Sequence, residues 1–328
     1  MHDSSFERLR REWRQRIDDR MLELVKLQNP SLLYDPIEYV VRAGGKRIRP
    51  MLLVLACRAV GGDVELSWDA AASIELLHNF TLVHDDIMDR DDTRRGCATV
   101  HTKWNPSVAI LAGDGLFVLA YRALLRTESP HIKKIAEIFT DGTMAICEGQ
   151  ALDLEFETGG KVDLPAYLDM IERKTAKLLQ MSCTIGALVG NGHAADVEAL
   201  GQFGLNLGLA FQIQDDLLDV VADEGTLGKT HGSDLRQGKQ TFLLVHALAH
   251  ASADTRNRLL GLLSQSVWDS TRVHEFRDVL EKVGSLRAAR TAVDTYLLSA
   301  RNQLANLTLH DSTNHLLDLV DYVSHRNS

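Results

Sequence analysis

Apolar residues recur every three or four positions along most of the chain, which is the spacing of one face of an α-helix. The clearest case is the segment 7–28, in which Leu9, Trp13, Ile17 and Met21 follow one another. The alternation of apolar and polar residues that marks a strand is sustained nowhere, so we predict no sheet. Further helices are predicted over residues 36–42, 50–60, 68–89, 107–126, 131–156, 164–189, 195–221 and 239–249, and three or more over the last quarter of the chain.

The chain of 328 residues shows no Pro/Gly/Ser-rich segment that would separate domains. None of its six prolines follows Pro165, and a long proline-free stretch rich in Ala and Leu favours long helices. We therefore predict one all-α domain over residues 1–328, with about ten to thirteen helices, and two domains as the alternative that the length allows.

Composition excludes several classes of protein. With 45 acidic against 36 basic residues the net charge is −9, which argues against a nucleic-acid-binding protein. No run of about 18 apolar residues predicts a membrane span, and the polar N-terminus has no signal-peptide core. The four cysteines form no CxxC pair and are interpreted as reduced. These features predict a cytoplasmic location.

Two acidic segments of the form DDxxD carry the candidate chemistry. The first acidic segment, residues 85–89, ends the predicted helix 68–89, and the second, residues 215–219, lies near the end of helix 195–221. The first and last Asp of each segment share a helix face, where like charges repel, and helix C-termini disfavour anions. A bound cation would compensate, and carboxylates without His or Cys suit Mg²⁺. The alternative is a solvated acidic face.

Basic residues accompany both acidic segments. A chain of negative net charge that places cations beside carboxylates predicts a polyanionic ligand bridged by metal, and diphosphate fits better than nucleic acid. No Walker A sequence is present, which disfavours a P-loop nucleotide enzyme. His78 shares a helix face with Asp85, seven residues later. The basic groups are Lys46 with Arg49, Arg94 with Arg95, Lys174 followed by Thr175, and Lys229 with Lys239.

From about Tyr34 to Thr241 the chain resembles the trans-isoprenyl diphosphate synthases, or polyprenyl synthetases. Six segments occur in the order and approximate spacing of that family: GGKRIRP, LLHNFTLVHDDIMD, RRGCATVH, KT, FQIQDDLLD and GKTHGSDLRQGKQT. The resemblance implies an orthogonal helical bundle around a central apolar cavity, assembled as a homodimer. It also implies that isopentenyl diphosphate is condensed with an allylic diphosphate, with the two acidic segments facing each other across the cavity mouth.

The resemblance assigns roles residue by residue. Asp85, Asp89 and Asp215 would bind Mg²⁺, three ions with substrate bound, with Asp219 as a further ligand and Asp86 and Asp216 in support. The allylic diphosphate would contact Arg94, Lys174, Thr175, Gln212, Lys229 and Lys239. Isopentenyl diphosphate would be held by Lys46, Arg49, His78 and Arg95. The catalytic residues implied by the resemblance are then Asp85, Asp86, Asp89, Asp215, Asp216, Lys174 and Arg94.

Product length depends, in this family, on bulk below the first acidic segment. Phe80 and Thr81 lie five and four residues before Asp85, and Phe80 is roughly 7–8 Å deeper along the helix. This arrangement resembles archaeal geranylgeranyl diphosphate synthases (C20 product). A farnesyl (C15) or longer product remains an alternative, as does Phe80 as an ordinary core residue, because a helical wheel turns it about 140° from Asp85.

Three other functions are alternatives to chain elongation. A terpene cyclase normally has an Asn/Ser/Glu metal motif where this chain has DDLLD, and the same difference disfavours head-to-head coupling as in squalene or phytoene synthases. A non-catalytic helical subunit of a heteromeric synthase should lack one acidic segment or the phosphate-binding cations. This chain has all of them, so chain elongation is favoured.

Overall fold

The structure is a computed structural model that describes residues 5–26, 29–159, 162–221, 238–264, 270–305, 307 and 313–324. Nearly all of these residues are helical, which confirms the predicted all-α class. They fall into two compact units. Unit 1 comprises Met1–Thr140, Leu178–Gly201 and Leu304–Asp318, and unit 2 comprises Asp141–Lys177, Gln202–Gln303 and Leu319–Ser328. A single domain over 1–328 stays a prediction.

The described helices follow the predicted ones closely. The main difference is that the predicted helix 164–189 is divided by a π-helical turn, Glu172–Ala176. A short 3₁₀ turn, Val64–Ser67, precedes α4. The α-helices are α1 (Ser5–Val25), α2 (Ser31–Arg42), α3 (Ile48–Ala59), α4 (Trp68–Met88), α5 (Val100–Lys103), α6 (Pro106–Leu124), α7 (Ile132–Thr158), α8 (Leu164–Ile171), α9 (Lys177–Val189), α10 (Ala194–Val221), α11 (Phe242–His250), α12 (Ala253–Leu263), α13 (Ser270–Val283), α14 (Ser285–Leu304) and α15 (Asn314–Ser324).

The centre of unit 1 is α4, which packs against α1, α3 and α6. Helix α6 begins where the Asn105 side chain accepts a hydrogen bond from the Val108 amide at 3.0 Å, and Pro106 suits its first turn. Among the described helices, α6 alone has the length and composition to cross a membrane, but half of its apolar stretch is buried inside the protein. Its packing against α2 and α4 is that of a core helix.

A two-stranded antiparallel ribbon follows α4, so the prediction of no sheet was wrong at this point. Strand β1 (Thr93–Arg94) pairs with β2 (Cys97–Ala98), with Arg94 opposite Cys97. Arg95 and Gly96 between them both have positive φ, +53° and +75°, as the tight hairpin turn requires. Strands of two residues are too short to show an alternating pattern, which is why the sequence does not reveal them.

In unit 2, helices approach the π-helical turn at two glycines. A Cβ atom on Gly149 of α7 would lie 2.3 Å from the Lys174 amide nitrogen, and one on Gly208 of α10 would lie 2.5 Å from the Ala176 Cα. Because both neighbours are backbone atoms that cannot move aside cheaply, only glycine fits at these positions. The turn that carries Lys174 and Thr175 is therefore closely packed on two sides.

Candidate functional site

The first acidic segment places its carboxylates in two different environments. Asp85 in the last turn of α4 and Asp89, which caps that helix, are partly exposed. Asp86 is buried and accepts a hydrogen bond from Nε of Arg94, so it faces the protein. Burial raises the pKa of Asp86 to about 6, although the charge of Arg94 acts in the opposite direction. Asp85 and Asp89 are thus the members placed to meet a ligand.

The hairpin after α4 is held to that same helix end. Besides Asp86, Arg94 contacts Asp91, with Nη2 3.5 Å from Oδ2. The Thr99 hydroxyl donates to the carbonyl of Asp91 at 2.8 Å and closes the base of the hairpin. The guanidinium of Arg94, a predicted diphosphate ligand, is therefore fixed beside the first acidic segment.

Three of the predicted isopentenyl diphosphate ligands, Arg49, His78 and Arg95, lie close together in unit 1 although they come from three segments of the chain. Nη1 of Arg49 lies 3.2 Å from Nε2 of His78, and Nη1 of Arg95 donates to the carbonyl of Gly44. Lys46 is exposed in the same loop. Burial, and then the charges of Arg49 and Arg95, lower the pKa of His78 well below its ordinary value. At neutral pH the cluster therefore presents a neutral imidazole among guanidinium groups.

The second acidic segment, in unit 2, repeats the arrangement of the first. Asp215 and Asp219 are partly exposed, whereas Asp216 is buried. Asp216 accepts hydrogen bonds from the Tyr167 hydroxyl at 2.6 Å, the Phe242 amide at 2.8 Å and the Gln212 side chain at 2.9 Å. Burial nevertheless raises its pKa to about 6. Asp216 thus orders the start of α11 and the predicted ligand Gln212.

Two predicted diphosphate ligands in unit 2 share one carboxylate that the sequence analysis did not identify. Oδ2 of Asp153, a buried residue of α7, lies 2.5 Å from Nζ of Lys174 and 4.0 Å from Nζ of Lys239. Next to Lys174, Thr175 donates from its hydroxyl to the Gln212 side chain at 2.9 Å. The structure therefore brings Lys174, Lys239, Thr175 and Gln212 near one another, as the resemblance implied.

The donor set around the acidic segments fits Mg²⁺. Within the described part of the chain, no three His, Cys, Asp or Glu side chains gather closely enough to hold a metal ion by themselves. Mg²⁺ is usually bound by one or two carboxylates, water and substrate phosphates rather than by a complete protein cage. A pair such as Asp85 and Asp89, without His or Cys, matches that preference.

The predicted chain-length residues differ in their surroundings. The Phe80 ring packs against Phe117 of α6, with centroids 5.3 Å apart, and against His84 at 4.9 Å. Thr81 donates to the carbonyl of His78 at 2.9 Å. Phe80 thus begins a series of aromatic contacts between α4 and α6.

The predicted residues divide between the two units. Unit 1 contains the first acidic segment with Lys46, Arg49, His78, Arg94 and Arg95, and unit 2 contains the second with Lys174, Thr175, Gln212 and Lys239. Lys229 lies outside the described residues. Whether the two acidic segments face each other stays a prediction. The buried partners Asp153 and Tyr167 were not predicted, since Asp153 is 21 residues from Lys174 and Tyr167 is 49 residues from Asp216.

Comparison with known proteins agrees with these motifs. The sequence profile of the polyprenyl synthetase family matches residues 30–282. A short chain isoprenyl diphosphate synthase of Methanothermobacter thermautotrophicus is 40% identical over 317 residues, which cover 96% of this chain and 97% of the relative. A geranylfarnesyl diphosphate synthase of Natronomonas pharaonis is 37% identical over 334 residues, 96% of each chain. The crystal structure of geranylgeranyl pyrophosphate synthetase from Pyrococcus horikoshii superimposes with a TM-score of 0.93 at 38% identity, covering 98% of both chains.

Proposed function

From the chain's membership of the polyprenyl synthetase family we infer that it joins isopentenyl diphosphate to an allylic diphosphate. It is a prenyltransferase with small-molecule substrates, related to short-chain isoprenyl diphosphate synthases. The observation that carries the proposal is the cation cluster of unit 1. Arg49, His78 and Arg95 converge beside a helix that ends in partly exposed carboxylates.

The proposal gives the two diphosphates separate ligands. Isopentenyl diphosphate is held by Lys46, Arg49, His78 and Arg95, where the guanidinium groups supply charge and the neutral imidazole supplies a hydrogen bond. The allylic diphosphate is held by Arg94, Lys174, Thr175, Gln212, Lys229 and Lys239. Nine of these ten residues are described. The four isopentenyl diphosphate ligands lie in unit 1, whereas the described allylic ligands are Arg94 of unit 1 and the unit 2 group of Lys174, Thr175, Gln212 and Lys239.

The chemistry needs these residue types. Breaking the allylic C–O bond leaves diphosphate, an anion that concentrated positive charge stabilises in the transition state. The double bond of isopentenyl diphosphate then forms the new C–C bond with the allylic carbon, and a proton is lost to the departed diphosphate. No protein nucleophile takes part, so Arg94, Lys174 and Lys239 act by position and charge.

We assign Mg²⁺ to Asp85, Asp89, Asp215 and Asp219, with three ions when substrate is bound. When bound, Mg²⁺ would neutralise charge on the leaving diphosphate. Support comes from the partly exposed positions of these four carboxylates, in contrast to the buried Asp86 and Asp216. The latter two hold protein groups in place and are assigned to support rather than to metal binding.

We propose geranylgeranyl diphosphate, the C20 compound, as the product. In this proposal Phe80 limits the length of the tail, and the contact of its ring with Phe117 supports that role. The relatives include a geranylgeranyl and a geranylfarnesyl synthase, so a C25 product is the competing outcome. Incubation with isopentenyl diphosphate and a short allylic starter, followed by chromatography of the dephosphorylated products, decides between them.

We further propose a homodimer in the cytoplasm. On α6 and at its C-terminal end, Leu111, Val118 and Leu125 recur every seven residues and are exposed. An apolar stripe of this kind suits a second copy of the chain. Sedimentation analysis should show a dimer that Val118→Glu weakens, and a monomeric wild-type protein would contradict this part of the proposal.

The central experiment uses the purified chain alone with Mg²⁺, isopentenyl diphosphate and labelled dimethylallyl, geranyl or farnesyl diphosphate. We expect elongated product with at least one starter, and loss of about 100-fold or more in kcat for Asp85→Asn, the scale at which one lost electrostatic contact acts on a transition state. Asp114→Asn, an exposed carboxylate of α6, is the matched control and should retain activity. No product from any starter would reject the proposal, and activity only with a second protein would favour a subunit of a heteromeric synthase.

A further inference from the structure

Arg47, in the GGKRIRP segment, is the largest of the fully buried side chains in the described part of the chain. Its three guanidinium nitrogens all have partners in unit 1. Nε donates to Asp18 of α1 at 2.7 Å, Nη1 to Glu75 of α4 at 2.6 Å, and Nη2 to the carbonyl of Val41 at 3.2 Å. A side chain so enclosed cannot reach a substrate, so its role must be exerted through other residues.

The backbone of Arg47 is in the left-handed region, with φ of +53°, directly before α3. A non-glycine residue keeps this conformation only where surrounding contacts fix it. Here the contacts are the two ion pairs, and the residues whose positions follow are Lys46, immediately before Arg47, and Arg49, in the first turn of α3. Both are proposed ligands of isopentenyl diphosphate.

Glu75 connects this arrangement to the rest of the same cluster. It is buried on α4, three residues before His78 and hence on the same helix face. At Gly45, a Cβ atom would lie 3.0 Å from Nη1 of Arg47 and 3.1 Å from Cζ of Arg95, so two guanidinium groups approach the loop at one point. Glu75 therefore joins α4 to the loop through Arg47, at the point where Arg95 of the hairpin also approaches the loop.

We propose that Arg47 and Glu75 are positioning residues for the isopentenyl diphosphate subsite, a role that rests on the proposed function. The pair fixes the loop so that Lys46 and Arg49 meet the same diphosphate as His78 and Arg95. A purely electrostatic role of Glu75 predicts the opposite effect on isopentenyl diphosphate binding. If Glu75 acted only as a negative charge near the subsite, removing that charge would strengthen diphosphate binding.

Glu75→Gln separates the two expectations because it removes the charge and nearly preserves the shape. We expect the Kd for isopentenyl diphosphate, measured by calorimetry without the allylic substrate, to rise between about 10- and 100-fold, the scale of a misplacement of about 1 Å. The KM for the allylic diphosphate should stay within about twofold, because its proposed ligands in unit 2 are untouched and Arg94 of unit 1 is held by Asp86 and Asp91 rather than by Glu75. Arg47→Lys, which keeps the charge but loses the three-nitrogen geometry, should weaken isopentenyl diphosphate binding in the same direction.

Asp69→Asn is the matched control. Asp69 of α4 forms a two-bond ion pair with Arg20 of α1, at 2.8 Å for each bond, so its loss loosens the same two helices away from the loop. We expect it to lower the thermal unfolding midpoint and leave both substrate constants unchanged.

The proposal is overturned if a folded Glu75→Gln or Arg47→Lys protein binds isopentenyl diphosphate as tightly as the wild type, or more tightly. It is also overturned if both substrate constants rise together or if Asp69→Asn reproduces the effect, because either result describes general loosening. Failure of the proposed function is a separate result: the wild-type protein itself would then neither bind isopentenyl diphosphate nor form product.

Discussion

Asp153→Asn removes the carboxylate shared by Lys174 and Lys239 while keeping the size of the side chain. The distances of 2.5 and 4.0 Å from Oδ2 to the two ammonium nitrogens add to 6.5 Å, so these nitrogens are no more than 6.5 Å apart. In wild-type protein the carboxylate offsets their repulsion. In the variant the repulsion is uncompensated until a diphosphate binds, and the two groups are expected to separate.

The magnitude follows from Coulomb's law. Two unit charges 6.5 Å apart repel by about 2.5 kcal/mol at an effective dielectric constant of about 20. Both lysine side chains are mostly buried, so screening by solvent is limited. If allylic diphosphate binding had to overcome this repulsion fully, its KM would rise by roughly 70-fold. Because the two lysine side chains can partly move apart, we expect a smaller rise in the allylic KM, of about tenfold.

The assay is steady-state kinetics with the allylic diphosphate varied at saturating isopentenyl diphosphate. In a second series isopentenyl diphosphate is varied at saturating allylic diphosphate. Only the allylic KM should rise. Glu148→Gln is the matched control, because Glu148 lies on the same helix, pairs with Arg173 beside Lys174 at 2.6 Å, and is half exposed. It should change neither constant appreciably, as expected of an exposed ion pair. An unchanged allylic KM in folded Asp153→Asn protein would refute the reasoning. A lower allylic KM would also refute it, because it would show that the Asp153 carboxylate competes with the diphosphate for the two lysines.

Other substitutions and conditions give further expectations. Phe80→Ala should shift the products to longer chains on chromatography, and an unchanged product distribution would remove Phe80 from the length determinants. Burial raises the pKa of Cys57 to about 12 and that of Cys183 above its usual range, so a thiol reagent at pH 7 should label only the two exposed cysteines of the native protein and all four in denaturant. For Asp216, the folded-state pKa of about 6 exceeds the ordinary 3.8, so the folded state holds this proton more tightly. Its contribution to the free energy of unfolding is therefore present below pH 4 and lost as the pH rises to 6, by about 3 kcal/mol. Urea unfolding in EDTA should show this loss, Asp216→Asn should flatten it, and an equal slope in both proteins would contradict the assignment.

Much of the fold was predictable because its signals are local. The periodicity of apolar residues placed α4 and α6 within a residue or two of their observed bounds. The π-helical turn was not predictable, since it depends on helices that approach at Gly149 and Gly208. The ribbon at Thr93–Ala98 was not predicted because its two-residue strands are too short to show an alternation of apolar and polar residues.

The site shows the same division. Asp85 and Asp215 could be identified because repeated carboxylates near helix ends violate a local electrostatic preference. Asp153 and Glu75 could not, since the role of each depends on a partner that is distant in the sequence. Lys174 is 21 residues from Asp153, and Arg47 is 28 residues from Glu75. Only the folded chain provides these pairs.

The burial of Asp86 and Asp216 changes how a DDxxD signature should be understood. The sequence does not distinguish its three aspartates, yet the middle one in each copy is buried and accepts hydrogen bonds from other groups of the protein. A saturation mutagenesis library would accordingly yield two phenotypes. Replacements of Asp86 or Asp216 would lower the stability or the local order of the protein, with the asparagine variants still folded, whereas replacements of Asp85, Asp89, Asp215 or Asp219 would give fully stable proteins with altered dependence on magnesium concentration. The DDxxD signature thus contains one aspartate that supports the folded structure and two that are proposed to act in catalysis.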